Sequence, residues 1–155
     1  MFALSHNAHA WSQNGHRIVA KIAENHLTET TLQAILPLLE GEKLAEVSTW
    51  PDEMRSNPDK FWQKESGKYH YINISKASDF KPSSYNISAQ SGEVTDAYAL
   101  ILKATSVLKS PSSTLKDKRF YFKFLVHVVG DIHQPMHVGH SEDRGGRTRK
   151  SPCQR

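Results

Sequence analysis

The segment HVVGDIHQPMH, residues 127–137, sets three histidines and an aspartate at the end of what otherwise reads as an apolar helix. Traced back through the chain, Phe120, Phe124, His127 and Asp131 step by four, three and four residues, so they share one helix face. The two phenylalanines make that face the buried one. An ionised carboxylate on a core stripe is costly unless hydrogen bonds or a cation compensate it. Any fold of this chain must therefore bring polar partners to the end of a buried helix. Pro135 ends the helix and turns the chain, which lets His137 approach the same region from another direction. For the His127–Asp131 pair alone, mutual hydrogen bonding and a shared metal are both open.

The remaining sequence supplies the frame. With 155 residues, 37% hydrophobic and 23% charged, the chain has the makeup of one globular domain with a core. Its apolar runs fall short of the roughly 18 to 20 residues that a membrane-spanning helix needs, so no membrane role is expected. The formal charge of +4 is a tail effect. Arg144, Arg147, Arg149, Lys150 and Arg155 stand among no acids, whereas residues 1–143 carry 15 basic and 16 acidic side chains. A global basic field for a polyanion is thereby excluded, and any nucleic-acid contact must come from a local site. One cysteine, Cys153, excludes an internal disulfide.

Periodicity predicts a mostly α-helical chain. A first helix starts near Ser12 with Val19, Ile22, Ala23 and Leu27 on its face; a second follows Thr28 with Leu32, Ile35, Leu36 and Leu39, kinked or shortened by Pro37. Leu44 to Arg55 forms a third, interrupted at Pro51; Ala97 to Leu108 a fourth; Lys116 to about Ile132 a fifth. Tyr69 to Ile74 reads as a short extended segment, and Ser75 to Ser91 as a loop. The first ten residues end in Ala8-His9-Ala10, a small-x-small pattern of the kind that signal peptidase cuts, directly before Trp11.

Further potential ligands lie outside the last helix. His16 follows Gly15 at the start of the first helix, Asp52 follows Trp50-Pro51 with Arg55 three residues on, and His70 sits between two tyrosines. Singly, each is more simply structural. Together they are imidazoles and carboxylates of the kind that zinc takes at about 2.0–2.2 Å, drawn from four separate elements. His133, two residues past Asp131 on another helix face, fits a structural hydrogen bond better than a metal.

Four segments in order, WSQNGHRIVAKIA at 11–23, TWPDEMR at 49–55, YHYIN at 69–73 and FLVHVVGDIHQPMHVG at 124–139, resemble the S1/P1 nucleases. The likeness runs from Trp11 to about Gly146 and corresponds to the N-terminal part of such an enzyme. It implies an all-α fold, like that of zinc-dependent phospholipase C and P1 nuclease, holding three zinc ions. By the same resemblance Asp52, His70, His127 and Asp131 bind one zinc, and Asp131 bridges to a second held by His16 and by the amine and carbonyl of an N-terminal Trp11. Asp52 and Arg55 take catalytic roles, with Arg55 steadying charge on the phosphoryl oxygens, and Tyr71 and Asn73 are the base-stacking and base-contacting positions. The implied activity is hydrolysis of single-stranded DNA and RNA, or of 3′-nucleotides, by a zinc-activated water, in a monomer that is secreted or periplasmic.

A free amine at Trp11 requires cleavage before it, so residues 1–10 are expected to be the remnant of a signal peptide. The third zinc of the family matches His137 plus a histidine and an aspartate from a downstream motif that this chain does not contain. Residues 11–146 are accordingly expected to form an incomplete nuclease-like domain, residues 147–155 an aberrant disordered tail, and activity to be impaired. Two alternatives accompany this reading: a non-catalytic metal-binding fragment, and a phospholipase C-like hydrolase, against which Tyr71 and Asn73 beside His70 argue.

Overall fold

A computed structural model describes residues 13–74, 81–83 and 93–140. Among them are six α-helices: α1 (Gln13–Asn25), α2 (Glu29–Leu39), α3 (Leu44–Val47), α4 (Trp50–Glu53), α5 (Ala97–Lys109) and α6 (Leu115–Ile132). The all-α expectation holds. The N-cap chemistry is local: Thr28, Asp96 and Thr114 each accept a hydrogen bond from a backbone N–H in the first turn of α2, α5 and α6. Glu40 and Gly41, both at positive φ, end α2.

Helix α6 is the spine and contacts all five others. One side of it sends Phe122 and Val126 into a cluster with Ala20, Leu38, Leu39, Leu44 and Val47. The other sends Phe124 and Val128 into a second cluster with Val94, Ala97 and Leu100, walled by Trp50, Phe61 and Trp62. Phe124 is fully buried, and its ring stacks on Trp62 at 5.7 Å and 7°. Lys123 and Arg119 tie α6 to the end of α2, through Lys123 Nζ to Glu42 Oε1 at 2.9 Å and Arg119 Nη1 to Glu40 Oε1 at 3.1 Å.

Several expectations are corrected. Ile22 and Ala23 do not form the packed face of α1; Ile18 and Ile22 are 60% and 54% exposed, and the face turned inward carries His16 and Ala20. Leu27 packs on the core from beyond the end of the helix, while Leu36 on α2 is exposed. Pro37 lies inside α2, which ends two residues later at Leu39, and its carbonyl accepts a hydrogen bond from Arg119 Nε at 3.0 Å. The Leu44–Arg55 segment is two four-residue helices and a 3-10 turn at Met54–Ser56, with Pro51 in the first turn of α4, where its missing N–H costs nothing.

Tyr69 and His70 are not in a strand. They end a 3-10 turn at Ser66–His70, which follows a π-helical turn at Phe61–Glu65. Only Ile72–Asn73 is extended, as β1, pairing in parallel with β2 (Val138–Gly139) in the register Ile72 to Val138 and Asn73 to Gly139. This two-strand tie brings the chain after α6 back beside His70. The Ala8-His9-Ala10 pattern, Trp11, most of the Ser75–Ser91 stretch and the basic tail lie outside the described residues.

Candidate metal centre

The end of α6 gathers the polar groups that its sequence demands. Asp131 is 2% exposed, and its Oδ2 lies 3.1 Å from His127 Nε2, one turn earlier on the same helix, and 3.0 Å from His70 Nδ1 on the 3-10 turn. The two imidazole nitrogens are themselves 3.0 Å apart. Its other oxygen, Oδ1, lies 3.4 Å from His16 Nε2 on α1 and 3.6 Å from His137 Nδ1 beyond the helix end. Asp52 on α4 closes the ring, with its carboxylate 3.9 Å from His16 Nε2 and 4.0 Å from His127 Nε2. Two triads, His16–Asp52–His127 and His70–His127–Asp131, each offer three donor atoms within 4.8 Å of one another.

The surrounding structure orients these donors. Ser48, where α3 ends, presents its carbonyl 2.7 Å from His127 Nδ1, so that nitrogen donates and Nε2 is turned toward Asp131. A backbone carbonyl behind a ligating imidazole is a usual support of metal sites. His137 Nδ1 lies 2.6 Å from the His70 carbonyl oxygen. The His16 and His127 rings stack at 3.9 Å and 18°. Arg55 Nε pairs with Asp52 Oδ1 at 3.2 Å while the Arg55 side chain stays 56% exposed.

Burial and charge fix the protonation states. Desolvation, then the neighbouring His127, lowers His16 to a pKa of about 4. Desolvation also lowers His70, against the pull of its hydrogen bond to Asp131. For His127 desolvation is the largest influence and pulls downward, but the hydrogen bond and charge of Asp131 outweigh it and raise the pKa. For Asp131 desolvation pulls upward, and the hydrogen bonds from His127 and His70 overcome it, holding the carboxyl well below the usual range. His16 and His70 are thus favoured as neutral imidazoles beside an ionised carboxylate, the state in which metals bind. His16 Nδ1 and His70 Nε2 are buried and have no hydrogen-bond partner among the described residues. Three imidazoles and two carboxylates, with donor atoms crowded within 3.0–4.0 Å and two buried ring nitrogens left without a partner among the described residues, are a donor set that fits divalent cations.

Of the residues singled out in the sequence, His16, Asp52, Arg55, His70, His127, Asp131 and His137 are brought together. Tyr71 and Asn73 are exposed beside His70, and Trp11 lies outside the described residues. His133 is exposed, with Nδ1 2.6 Å from the Val129 carbonyl, the structural hydrogen bond expected of it. Two residues placed against the histidines are given no role by the sequence motifs. Ser48 acts through its main chain, which no side-chain pattern announces. Gly130 is visible only as a glycine inside a helix, a residue type that helices disfavour.

The S1/P1 nuclease family model matches residues 11–154, a stretch that includes every residue of the donor cluster. The chain belongs to the S1/P1 nuclease family. Similar S1/P1 relatives include Endonuclease 2 of Arabidopsis thaliana, 34% identical over 92% of this chain and 50% of its own length. Nuclease S1 of Aspergillus oryzae is 32% identical over 92% of this chain and 49% of its own, and Nuclease P1 of Penicillium citrinum 27% identical over 82% and 47%. This S1/P1 chain thus spans about half the length of the curated relatives it matches. No helix among the described residues is long and apolar enough to cross a membrane.

Proposed function

We propose that this chain carries the paired-metal centre of an S1/P1-type nuclease that hydrolyses phosphodiester bonds in single-stranded DNA and RNA. The observation that carries the reading is the convergence of His16, Asp52, His70, His127 and Asp131, from four elements, with donor atoms 3.0–4.0 Å apart. Asp52, His70, His127 and Asp131 would hold one zinc ion. His16 and Asp131 would hold a second, together with the amine and carbonyl of Trp11 once residues 1–10 are removed on export to the periplasm or the exterior.

Zinc bound at these residues supplies Lewis acidity and, near neutral pH, an acidified water as nucleophile. The protein's own part is positioning. Asp131 turns one oxygen toward His16 and the other toward His70 and His127, so a single carboxylate bridges both halves. Asp52 aims the Arg55 guanidinium, whose exposed head group is free to steady charge on phosphoryl oxygens. Tyr71, 42% exposed next to His70, offers its ring as a stacking surface, which suits unpaired bases and rejects a duplex. Asn73 stands on β1 two residues on and supplies polar groups for a base edge.

His137 is drawn in beside His70, but no further histidine–carboxylate group gathers around it among the described residues. The described donors account for two zinc ions, so we expect the 155-residue chain to take up about two and to turn over slowly. The deciding experiment compares this chain with one joined to the C-terminal half of a family relative, measuring zinc per chain and cleavage of single-stranded DNA and phosphatidylcholine. Zinc rising from about two to three, with DNA cleavage rising alongside, is expected. Faster turnover of phosphatidylcholine than of DNA would contradict the substrate assignment, and full DNA cleavage by the 155-residue chain would contradict the role given to the third ion.

A further inference from the structure

Gly130 sits in the last turn of α6, buried, between the ligating positions His127 and Asp131. A Cβ built on it would lie 2.6 Å from His16 Nδ1, 3.2 Å from Cε1 and 3.6 Å from Cγ. The first of these distances is one that real Cβ atoms do not tolerate, so an added methyl group forces a shift. His16 cannot yield easily, because it is 2% exposed and its ring is stacked on His127. Relief requires α1 to move away from α6, and the distance from His16 Nε2 to Asp131 Oδ1, 3.4 Å, lengthens with it. No positive φ is needed at Gly130, so its conformation alone gives no reason for glycine there.

We infer that Gly130 is a positioning residue: its missing side chain sets how deeply His16 seats against α6, and thereby the spacing of the second of the two cation positions. Glycine within a helix normally weakens it relative to alanine. Here the backbone liability is kept for the close approach of an imidazole. The metal-related part rests on the proposed two-ion reading; the packing part does not.

The test is a four-protein cycle of the parent, Gly130→Ala, His16→Ala and the double variant. Melting is followed first in the presence of a chelator. Gly130→Ala is expected to melt below the parent, while the double variant melts at or above His16→Ala, since with the imidazole gone only the better helix propensity of alanine remains. If Gly130→Ala does not fold, a cooperative transition regained in the double variant carries the same conclusion. Equal loss of melting temperature in both backgrounds, or no loss in either, overturns the inference. Zinc content is then measured on the same proteins. Gly130→Ala is expected to keep about one of the two equivalents, as is His16→Ala, with no additional loss when combined. A parent that binds no zinc would refute the metal reading and leave the melting cycle to decide the packing role on its own. A full zinc complement in Gly130→Ala would overturn the positioning role.

Discussion

His127 donates its Nδ1 proton to the carbonyl oxygen of Ser48 at 2.7 Å, and this one main-chain contact decides which face of the imidazole is available to a metal. With the tautomer set, Nε2 meets Asp131 Oδ2 at 3.1 Å, and the carboxylate becomes the meeting point of both donor groups. Asp131→Asn should therefore remove most bound zinc, because an amide loses the charge that serves both positions. His133→Ala should leave zinc content unchanged, since that side chain only bonds back to Val129. Metal analysis of the purified variants checks the pair, and equal losses would show the helix-face assignment to be wrong.

Metal loading should stabilise the fold. A cation that binds only the folded chain adds about 2.7 kcal/mol at a free concentration of about 100 Kd. For a chain of this length each kcal/mol is worth about 2–4 °C, so the melting temperature should rise by about 5–10 °C with zinc and fall back with chelator. Calorimetry across a zinc series would detect it. A melting temperature independent of zinc would mean that the donors satisfy one another.

Much of this arrangement is legible in the sequence because it obeys helical periodicity. Phe124, His127 and Asp131 are buried on one face of α6, with Phe120 half-buried on the same face, as their spacing says. The same rule fails on α1, where Ile18 and Ile22 form the more apolar stripe yet are exposed, and His16 with Ala20 faces inward. His16 turns inward where Asp131 and Asp52 face it, and that is information held by other elements. Tyr69-His70-Tyr71 alternates like a strand, but His70 ends a 3-10 turn whose register is held by the β1–β2 tie far along the chain. The Ser48 carbonyl behind His127 and the close approach of His16 to Gly130 are tertiary facts and leave no periodic trace.

Phe124 links stability to the site. It is fully buried one turn before His127, among Trp50, Phe61, Trp62 and Tyr69. Phe124→Ala should cost about 3–5 kcal/mol, as removal of a buried phenyl ring commonly does, with zinc affinity falling as α6 loosens. Chemical denaturation measures the first effect and zinc titration the second. A loss under about 1 kcal/mol would indicate that the aromatic cluster does not hold α6 in place.

Tyr71→Ala should weaken binding of single-stranded DNA by about 5- to 150-fold, the equivalent of roughly 1–3 kcal/mol for one stacked base. Zinc content should not change, because the Tyr71 ring is exposed beside the donor set. Fluorescence anisotropy on the zinc-loaded chain, with duplex DNA as comparison, reads this out. Equal weakening for single and double strands would remove the stacking role.

If His16, His70, His127 and the carboxylates of Asp52 and Asp131 are the ligands of bound zinc, X-ray absorption at the zinc edge of the loaded 155-residue chain will show them. A shell made only of nitrogen and oxygen at about 2.0–2.2 Å, with the multiple scattering of imidazole rings that disappears in part when His127 is changed to alanine, is the predicted result. A sulfur shell at about 2.3 Å, which only Cys153 or a methionine could provide, or zinc whose spectrum carries no imidazole scattering, would contradict the account.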